Sequence, residues 1–449
     1  MMRKLIAILL CLCLVCALLT GCGGSDIGQY KEDAAETQAP EEDEAPAEDE
    51  TPAEDEAPAE DETPVEDEEE PAEDEEVLMD DDMASEADDG EPMETPDPGL
   101  GFTAYEPDTV VATYNDSEIT WREYYYWLND YVEYIRSYVE YMAYMGGTFS
   151  GWDGYDFSPD MTTADMVRST VHDILWQYRS LELLADREGV VLTEDDLAEI
   201  QTMFEDMADN YGDGDGECTQ EELTAYEGYM GEAYYMDREL FDYMGRISAL
   251  SEKTFAALYG DEAASDLPDE DAQAYGEQLG LMSCKHILLM TVDPTTGEPL
   301  SEEEIAEKKE LIDGYYNQLA EVEDDQEALV ALFDELMNEH SEDTGLAAFP
   351  NGYLFGPGEM VAVFEETTAA LPEYGLSEPV ESSYGYHIIL RQSIDPDGTF
   401  TDGNGSMVAL RYAAANEDFF RQLDDITASA DIVWNDDFET IDIGVIFGE

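Results

Sequence analysis

The chain has 449 residues, of which 113 are acidic and 17 are basic, so its formal net charge is -96 at pH 7. Because phosphate binding requires a basic surface, this charge excludes nucleic acid as a direct partner. Acidic residues still outnumber basic ones 78 to 14 in residues 101–449. We therefore expect the folded part to attract cationic segments of unfolded polypeptides and divalent ions.

The first 21 residues have the pattern of a lipoprotein signal peptide. Two basic residues precede an apolar run from Leu5 to Leu19, and the lipobox Leu19-Thr20-Gly21-Cys22 follows directly. We predict cleavage before Cys22 and diacylglyceryl modification of Cys22, which would anchor the protein at the outer face of the cytoplasmic membrane. A transmembrane anchor is the alternative, but the run is shorter than the ~20 residues that a span needs.

Residues 22–107 have a different composition from the rest of the chain. Six-residue units such as A-P-A-E-D-E repeat from Ala45 to Glu68, and both proline and like charge oppose a packed core. We predict a disordered, extended acidic tether that lifts the folded part from the membrane. A solubilising tail is the alternative interpretation.

A strand, an Asn-Asp turn and a helix start capped by Thr120 are predicted over residues 108–120. The helix that follows has an amphipathic stripe at intervals of three or four residues, formed by Tyr124, Trp127, Leu128, Tyr131, Ile135, Tyr138, Met142 and Met145. Further helices are predicted from Thr163 to about Glu188, from Thr193 to Met207, from Gln220 to Glu227 and from Tyr234 to Tyr259.

The segment that begins at Tyr211 partly matches a calcium-binding loop. The matches at its third, fifth, sixth and twelfth positions are Asp213, Asp215, Gly216 and Glu222. The first position needs an acid and holds Tyr211 instead. We favour the alternative, an acidic turn between two helices that ends in a cap at Thr219.

Three cysteines would remain after signal cleavage, namely Cys22, Cys218 and Cys284. With Cys22 lipidated, only a Cys218–Cys284 disulfide could form, and the spacing gives no argument for it. We expect both thiols to be reduced. No zinc site is predicted, because the sequence has no CxxC or Cys/His array.

Four motifs lie between Cys284 and Arg391. In chain order they are C-K-H-I-L-L, S-E-D-T-G, N-G-Y-L-F-G-P-G-E-M-V-A-V-F-E and P-V-E-S-S-Y-G-Y-H-I-I-L-R. His286 and His387 each adjoin a short apolar run of strand character, and each should point to the face opposite its immediate neighbours. If the two strands pair, the imidazoles come together.

Over residues 280–392 these motifs resemble the parvulin-type peptidyl-prolyl isomerases, and the whole chain is similar to Gram-positive extracytoplasmic foldase lipoproteins. The resemblance implies four catalytic residues and two residues of a hydrophobic wall. They are His286, Asp343, Ser382 and His387, with Met360 and Phe364 as the wall. The four-residue spacing of Met360 and Phe364 predicts one face of a short helix.

The resemblance also implies the substrate. Rotation about an X-Pro bond needs neither a nucleophile nor a metal, so no cofactor is expected. Residues 290–304 have no cluster of basic residues that could read a phosphate, which predicts a preference for unmodified X-Pro bonds.

One motif departs from the family pattern. Where the best-known members have G-G-D-L-G, this chain has P-N-G-Y-L-F from Pro350 to Phe355. Gly352 falls on the aliphatic wall position, so Tyr353 or Leu354 must supply that part of the pocket. The alternative is a catalytically weak or inactive parvulin-like holdase that only binds unfolded clients.

The resulting prediction is an α+β protein. Behind the tether, it has a helical chaperone-like domain (108–276), a parvulin domain with a small antiparallel sheet wrapped by helices (277–394), and a C-terminal segment (395–449) that packs on the helical domain. That segment contains a helix from about Ala409 to Ser429 and a strand-like I-V-W. The predicted function is that of a membrane-anchored prolyl isomerase and chaperone. Its partners would be unfolded or partly folded secreted polypeptides with X-Pro bonds.

Overall fold

The computed structural model describes residues 99–260 and 263–448. The predicted signal peptide, the lipidation site Cys22 and the tether up to residue 98 lie outside the described residues. Within the described ranges, no helix combines the length and the apolar character that a bilayer span requires.

The N-terminal part begins with a β-hairpin and two long helices. Asn115 has a φ of 51°, which the tight Asn-Asp turn between the strands requires. The side chain of Thr120 accepts a hydrogen bond from the Glu123 amide and caps the first helix, as predicted. The elements are β1 (Val110–Tyr114), β2 (Ser117–Thr120), α1 (Trp121–Tyr144) and α2 (Thr163–Glu188).

Four further helices complete this helical part, and two of them start at capping boxes formed by Thr193 with Asp196 and by Thr219 with Glu222. They are α3 (Glu194–Tyr211), α4 (Gln220–Ala233), α5 (Arg238–Tyr259) and α6 (Asp269–Gln278). The predictions that placed the end of α4 at Glu227 and the start of α5 at Tyr234 were wrong. Helix α5 begins later because the Asp237 side chain caps it by accepting from the Leu240 amide.

The next part of the chain forms a four-stranded antiparallel sheet with the order β4-β3-β6-β5. Helices α7 and α8 bury the face that carries Ile287, Ile388 and Leu390, and helix α9 lies on the other face. The elements are β3 (Met282–Met290), α7 (Glu302–Ala320), α8 (Gln326–His340), β4 (Tyr353–Phe355), α9 (Ala362–Ala370), β5 (Val380–Glu381) and β6 (Gly385–Gln392).

The chain then returns to the helical part. The last elements are β7 (Thr399–Thr401), β8 (Met407–Ala409), α10 (Leu410–Ser429), β9 (Ile432–Trp434) and α11 (Ile443–Phe447). Strand β9 pairs with β1 and completes a sheet of order β2-β1-β9. Strands β7 and β8 form a hairpin, and the Asp402 side chain accepts from the amides of Asn404 and Ser406 at its turn.

The hydrophobic stripe of α1 is buried only over its first half. Side chains from Trp121 to Ile135 lie in the main core with β1, α2 and α11. Further along, Tyr138 is 44% exposed and Met145 is 67% exposed. Because helical spacing marks a face without showing what covers it, the sequence stripe extends beyond the core that it helps to build.

A buried ion pair joins α1 to α2. Arg179 donates to both carboxylate oxygens of Glu123, at 3.0 and 2.7 Å, and the side chains are 5% and 9% exposed. The guanidinium also lies over the ring of Tyr243 in α5, with 4.8 Å between Cζ and the ring centroid. Three helices thus meet at one buried charge pair.

We predict that Arg179→Met lowers the free energy of unfolding by about 3–5 kcal/mol, because it leaves the Glu123 carboxylate buried without its partner. The double variant Arg179→Met with Glu123→Leu should lose much less, because no buried charge remains. Urea unfolding of both variants measures the difference. Equal losses in the two variants would contradict the predicted role of the unpaired charge.

Candidate active site

Strand pairing brings His286 and His387 together. In the antiparallel register Leu288 lies opposite His387, and Ile389 lies opposite His286, so the histidines occupy diagonal positions on one face. Their Nδ1 atoms are 3.1 Å apart and their rings are nearly parallel, at 14°. His286 is 8% exposed and His387 is 3% exposed, so the pair forms a buried polar floor.

Asp343 is placed by a loop that runs along the end of β3. In that loop, Ser341 Oγ accepts from the amide of Leu288, and the Glu342 amide donates to the carbonyl of Leu288. One oxygen of Asp343 then lies 3.1 Å from His286 Nε2 and accepts from the Tyr353 hydroxyl at 2.6 Å. Ser341 is the first residue of the motif S-E-D-T-G, and no role was predicted for it.

The Asp343 carboxylate is held in its ionised form. Burial would raise the pKa of Asp343, but hydrogen bonds from His286, from Tyr353 and from the Gly345 amide outweigh it and hold this pKa well below its usual value. An ionised carboxylate only accepts hydrogen bonds. It therefore requires a proton on Nε2 of His286.

Ser382 closes the other end of the histidine pair. Its Oγ lies 2.7 Å from His387 Nε2, and the Tyr384 amide donates to the same oxygen. Gly385 follows with a φ of 151°, where an added Cβ would lie 2.1 Å from the carbonyl oxygen of Leu289. This tight turn fixes Ser382 beside the ring.

The hydrogen bonds of the floor run in one direction when both imidazoles are neutral. His286 donates from Nε2 to Asp343, so its Nδ1 accepts from His387 Nδ1. Nε2 of His387 then accepts the hydroxyl proton of Ser382. Burial, helped by the neighbouring His286, lowers the pKa of His387 to about 3, which keeps this ring neutral.

Phe364 forms the main hydrophobic wall above the floor. Its ring meets His286 and His387 edge-on, with centroid distances of 5.1 and 5.5 Å. Met360 packs on the same cluster, but it precedes α9, whose cap is Val361. The predicted shared helical face was therefore wrong, because the backbone at Val361 is still extended.

Of the two residues predicted to replace the missing aliphatic side chain, only Tyr353 lies on the histidine face. Tyr353 pairs with Cys284, and its ring lies 5.5 Å from the His286 ring. Leu354 pairs with Ser283 and packs against Phe400 on the opposite face, so its prediction was wrong. Successive strand residues point to opposite faces, and only one of the two can line the site.

Gly352 explains why the neighbouring tyrosine is used. Its φ is 102°, and an added Cβ would lie 2.5 Å from the carbonyl oxygen of Cys284. An aliphatic residue does not fit at this position without moving β3. The wall on this side of the site is therefore the phenol ring of Tyr353.

The loop predicted as a weak calcium candidate contains a cluster of acids. Carboxylate oxygens of Asp209, Asp213 and Asp215 lie within 4.8 Å of one another. Asp209, which lies two residues before the expected first position of the loop at Tyr211, accepts a hydrogen bond from the Gly216 amide. Glu222, the predicted twelfth ligand, accepts instead from the amide of Thr219 in the capping box, as the favoured interpretation predicts.

Both described cysteines are free thiols. Burial raises the pKa of Cys284 to about 12, so this thiol is protonated at neutral pH. Its sulfur lies 3.9 Å from the hydroxyl of Thr368, beneath the hydrophobic wall. Cys284 is thus part of the core behind the site.

Comparison with known sequences places the site within a characterised domain type. Residues 286–393 match the rotamase family, described as the PPIC-type PPIASE domain. The foldase protein PrsA of Oceanobacillus iheyensis is 30% identical over 206 residues, which cover 44% of this chain and 60% of that protein. The foldase protein PrsA of Halalkalibacterium halodurans is 52% identical over 60 residues, 13% of this chain and 18% of that protein. The chain thus spans less than two thirds of the length of these relatives.

Similar solved structures come from the same group of proteins. The crystal structure of PrsA from Bacillus subtilis has 18% sequence identity, covers 63% of this chain and 95% of that chain, and has a TM-score of 0.19. The structure of PrsA from Bacillus anthracis has 18% identity, covers 57% of this chain and 90% of that chain, and has a TM-score of 0.18.

We predict that Tyr353→Phe raises the pKa of Asp343, because the substitution removes one hydrogen bond to the carboxylate and keeps the ring. The free energy of unfolding at pH 7 should fall by about 1.5 kcal/mol, the lower end for a bond to a charged group, because Tyr353 is only half-buried. NMR titration of the carboxyl carbon measures the pKa. Tyr384→Phe, which alters an exposed ring, is the control. Equal Asp343 titrations in the two variants would contradict the stabilisation of the carboxylate by the Tyr353 hydroxyl.

We predict that His387→Asn weakens the loss of stability at acidic pH. The pKa of a histidine is about 6.5 in an unfolded chain, whereas the pKa of His387 is about 3 in the folded protein. As pH falls from about 6.5 towards 3, His387 therefore binds a proton in the unfolded state but not in the folded state. The free energy of unfolding decreases as a result.

The slope should reach about 1.4 kcal/mol per pH unit for this single group. Urea unfolding of the parent protein and the variant at several pH values between 7.5 and 4 isolates the contribution of His387, because the two proteins share all other titrating groups. Parallel stability curves for the two proteins would contradict a buried neutral His387.

Proposed function

We propose that this chain, which carries a parvulin-type peptidyl-prolyl isomerase domain over residues 286–393, is a peptidyl-prolyl cis-trans isomerase and chaperone for secreted polypeptides. The observation that carries the proposal is the contact between His286 and His387, completed by Asp343 and Ser382 and covered by Phe364. The sequence similarity to PrsA foldases supports the same function.

The reaction requires neither a nucleophile nor a metal from the protein. Rotation about a peptide bond faces a barrier of about 18–20 kcal/mol, and each tenfold acceleration requires a reduction of about 1.4 kcal/mol. Catalysis needs an apolar wall that holds the proline ring and polar groups that favour the twisted amide over the planar one. In this proposal Phe364, Met360 and Tyr353 hold the ring.

The two histidines would act mainly as positioning residues. Both are almost fully buried and have little surface to offer a peptide, whereas Ser382 and Tyr353 are partly exposed. The imidazole pair fixes the Ser382 hydroxyl at one end and the Asp343 carboxylate at the other. A rigid floor reduces the reorganisation that must accompany rotation of the bound amide.

We further propose that the protein is anchored outside the cytoplasmic membrane through Cys22. The lipobox supports this, and a diacylglyceryl group supplies the two chains that stable anchoring needs. The proposed domains are a signal peptide (1–21), an acidic tether (22–107), a helical chaperone-like domain (108–276), the isomerase domain (277–394) and a C-terminal segment (395–449). Pairing of β9 with β1 supports an isomerase domain inserted within the helical one.

A holdase without turnover is the second candidate function. It is favoured by the departure at Gly352 and Tyr353, which replaces an aliphatic side chain of the pocket by a phenol bound to Asp343. Such a site could bind an unfolded segment and leave its X-Pro bond unaccelerated. The two candidates therefore differ in one measurable rate.

We expect the chain to accelerate cis-trans isomerisation of a short unphosphorylated Xaa-Pro peptide, and we expect His387→Ala and Asp343→Ala to lower kcat/KM by about tenfold to a hundredfold. Such a loss corresponds to about 1.4–2.7 kcal/mol of transition-state stabilisation. Exchange NMR or a protease-coupled assay gives the rate. His340→Gln, a histidine substitution at the end of α8, is the matched control and should retain the parent rate.

Refolding of a proline-free unfolded client, measured with the same variants, separates chaperone action from isomerisation. Retained refolding assistance in the two slow variants supports an isomerase with a separate chaperone surface. An uncatalysed rate in the parent chain would reject the isomerase and leave the holdase.

A further inference from the structure

The second half of α1 carries an exposed aromatic surface that the isomerase site does not use. The exposed fractions are 52% for Tyr134, 44% for Tyr138, 59% for Tyr141, 87% for Tyr144 and 67% for Met145, and we call this set the tyrosine face. The spacing of three and four residues places the four tyrosines on one side of the helix, and Met145 follows as its C-cap. Clusters of exposed apolar side chains are typical of interaction sites.

Neighbouring rings hold part of this surface in place. Tyr134 stacks on Tyr131 at a centroid distance of 5.7 Å, and Tyr138 lies 5.5 Å from Phe157 in the loop that follows α1. That loop is braced by Ser150, which donates from its amide and its hydroxyl to Asp156. Tyrosine rings that are already ordered lose little conformational entropy when they bind a partner.

The tyrosine face lies in an acidic stretch of the chain. Residues 131–162 contain five acidic residues and a single basic one, Arg136. The acids are Glu133, Glu140, Asp153, Asp156 and Asp160. The Arg136 guanidinium donates to a carboxylate oxygen of Glu133 at 2.7 Å and to the backbone carbonyl of Phe447. The surface therefore presents aromatic rings and carboxylates to a partner.

We infer that the tyrosine face binds extended segments of unfolded polypeptides that carry lysine or arginine beside apolar side chains. This inference rests on the proposed chaperone function and names the surface and the chemistry of the clients. Ammonium and guanidinium groups are attracted to the faces of tyrosine rings, each contact contributing about 0.5–1 kcal/mol at an exposed site. The nearby carboxylates attract the same groups over a longer range.

Charge argues against the other occupants of such a face. A second copy of this chain has the same formal charge of -96, so self-association through an acidic surface is opposed. Anionic lipid headgroups and nucleic-acid phosphates are repelled for the same reason. A cationic segment is the partner whose charge complements the face.

The test uses two labelled peptides that lack proline, so that the isomerase site is not engaged. One contains lysine and phenylalanine in a glycine-serine background, and the other has glutamate in place of every lysine. Fluorescence anisotropy with the full chain should show binding of the lysine peptide, weaker binding as salt rises from about 50 to 500 mM, and no binding of the glutamate peptide.

The double variant Tyr141→Ser with Tyr144→Ser should weaken binding of the lysine peptide about tenfold, as expected from the loss of two ring contacts. The matched control is Leu183→Ser with Leu197→Ser, which removes two exposed apolar side chains without aromatic rings from α2 and α3 and should bind as the parent does. A second variant, Glu140→Lys, keeps every ring and should also weaken binding. Thermal unfolding checks that each variant is folded.

Unchanged binding in the Tyr141 and Tyr144 variant would overturn the inference, as would equal binding of the two peptides or no binding of either by the parent. Isomerisation of an Xaa-Pro peptide, assayed on the same samples, reports separately on the proposed function. A parent chain that isomerises but ignores the lysine peptide would retain that function and lose only the tyrosine face.

Discussion

The contact between two buried imidazoles across β3 and β6 is the constraint on which the site depends. A polar group buried without a partner costs about 1–3 kcal/mol, so each ring nitrogen must find a hydrogen bond within the protein. Asp343 and Ser382 supply the outer partners of His286 and His387. The strand pairing that brings the two rings together therefore also requires that Asp343 and Ser382 lie at the two ends of the pair.

That constraint extends to the elements around the sheet. The loop that carries Asp343 is pinned to β3 through Ser341, and the turn that carries Ser382 requires Gly385. Tyr353 joins the same network because β4 pairs with β3 in a register that turns its ring towards His286. A substitution at any of these positions should disturb both the packing of the sheet and the hydrogen bonds of the floor.

Three of the 14 basic residues in residues 101–449 are buried, namely Arg179, Lys285 and Arg411, and the few others leave the surface acidic. Arg179 is buried against Glu123, and Arg411 bonds Asp269 in α6 and Asp397 after β6. These cations tie together segments that are distant in sequence. An exterior with few cations of its own is suited to a partner that brings positive charge, which connects the composition to the tyrosine face.

The sequence by itself determined the paired histidine strands, the caps at Thr120 and Thr219, and the helical and sheet-forming parts, because these depend on local spacing and side-chain chemistry. Only the tertiary structure decided that the hydroxyl of Tyr353 donates to the Asp343 carboxylate while Leu354 faces away, that Met360 precedes its helix, and that the stripe of α1 leaves the core after Ile135. Those outcomes depend on strand register and on which element covers which face, and both are set by contacts between residues far apart in the chain.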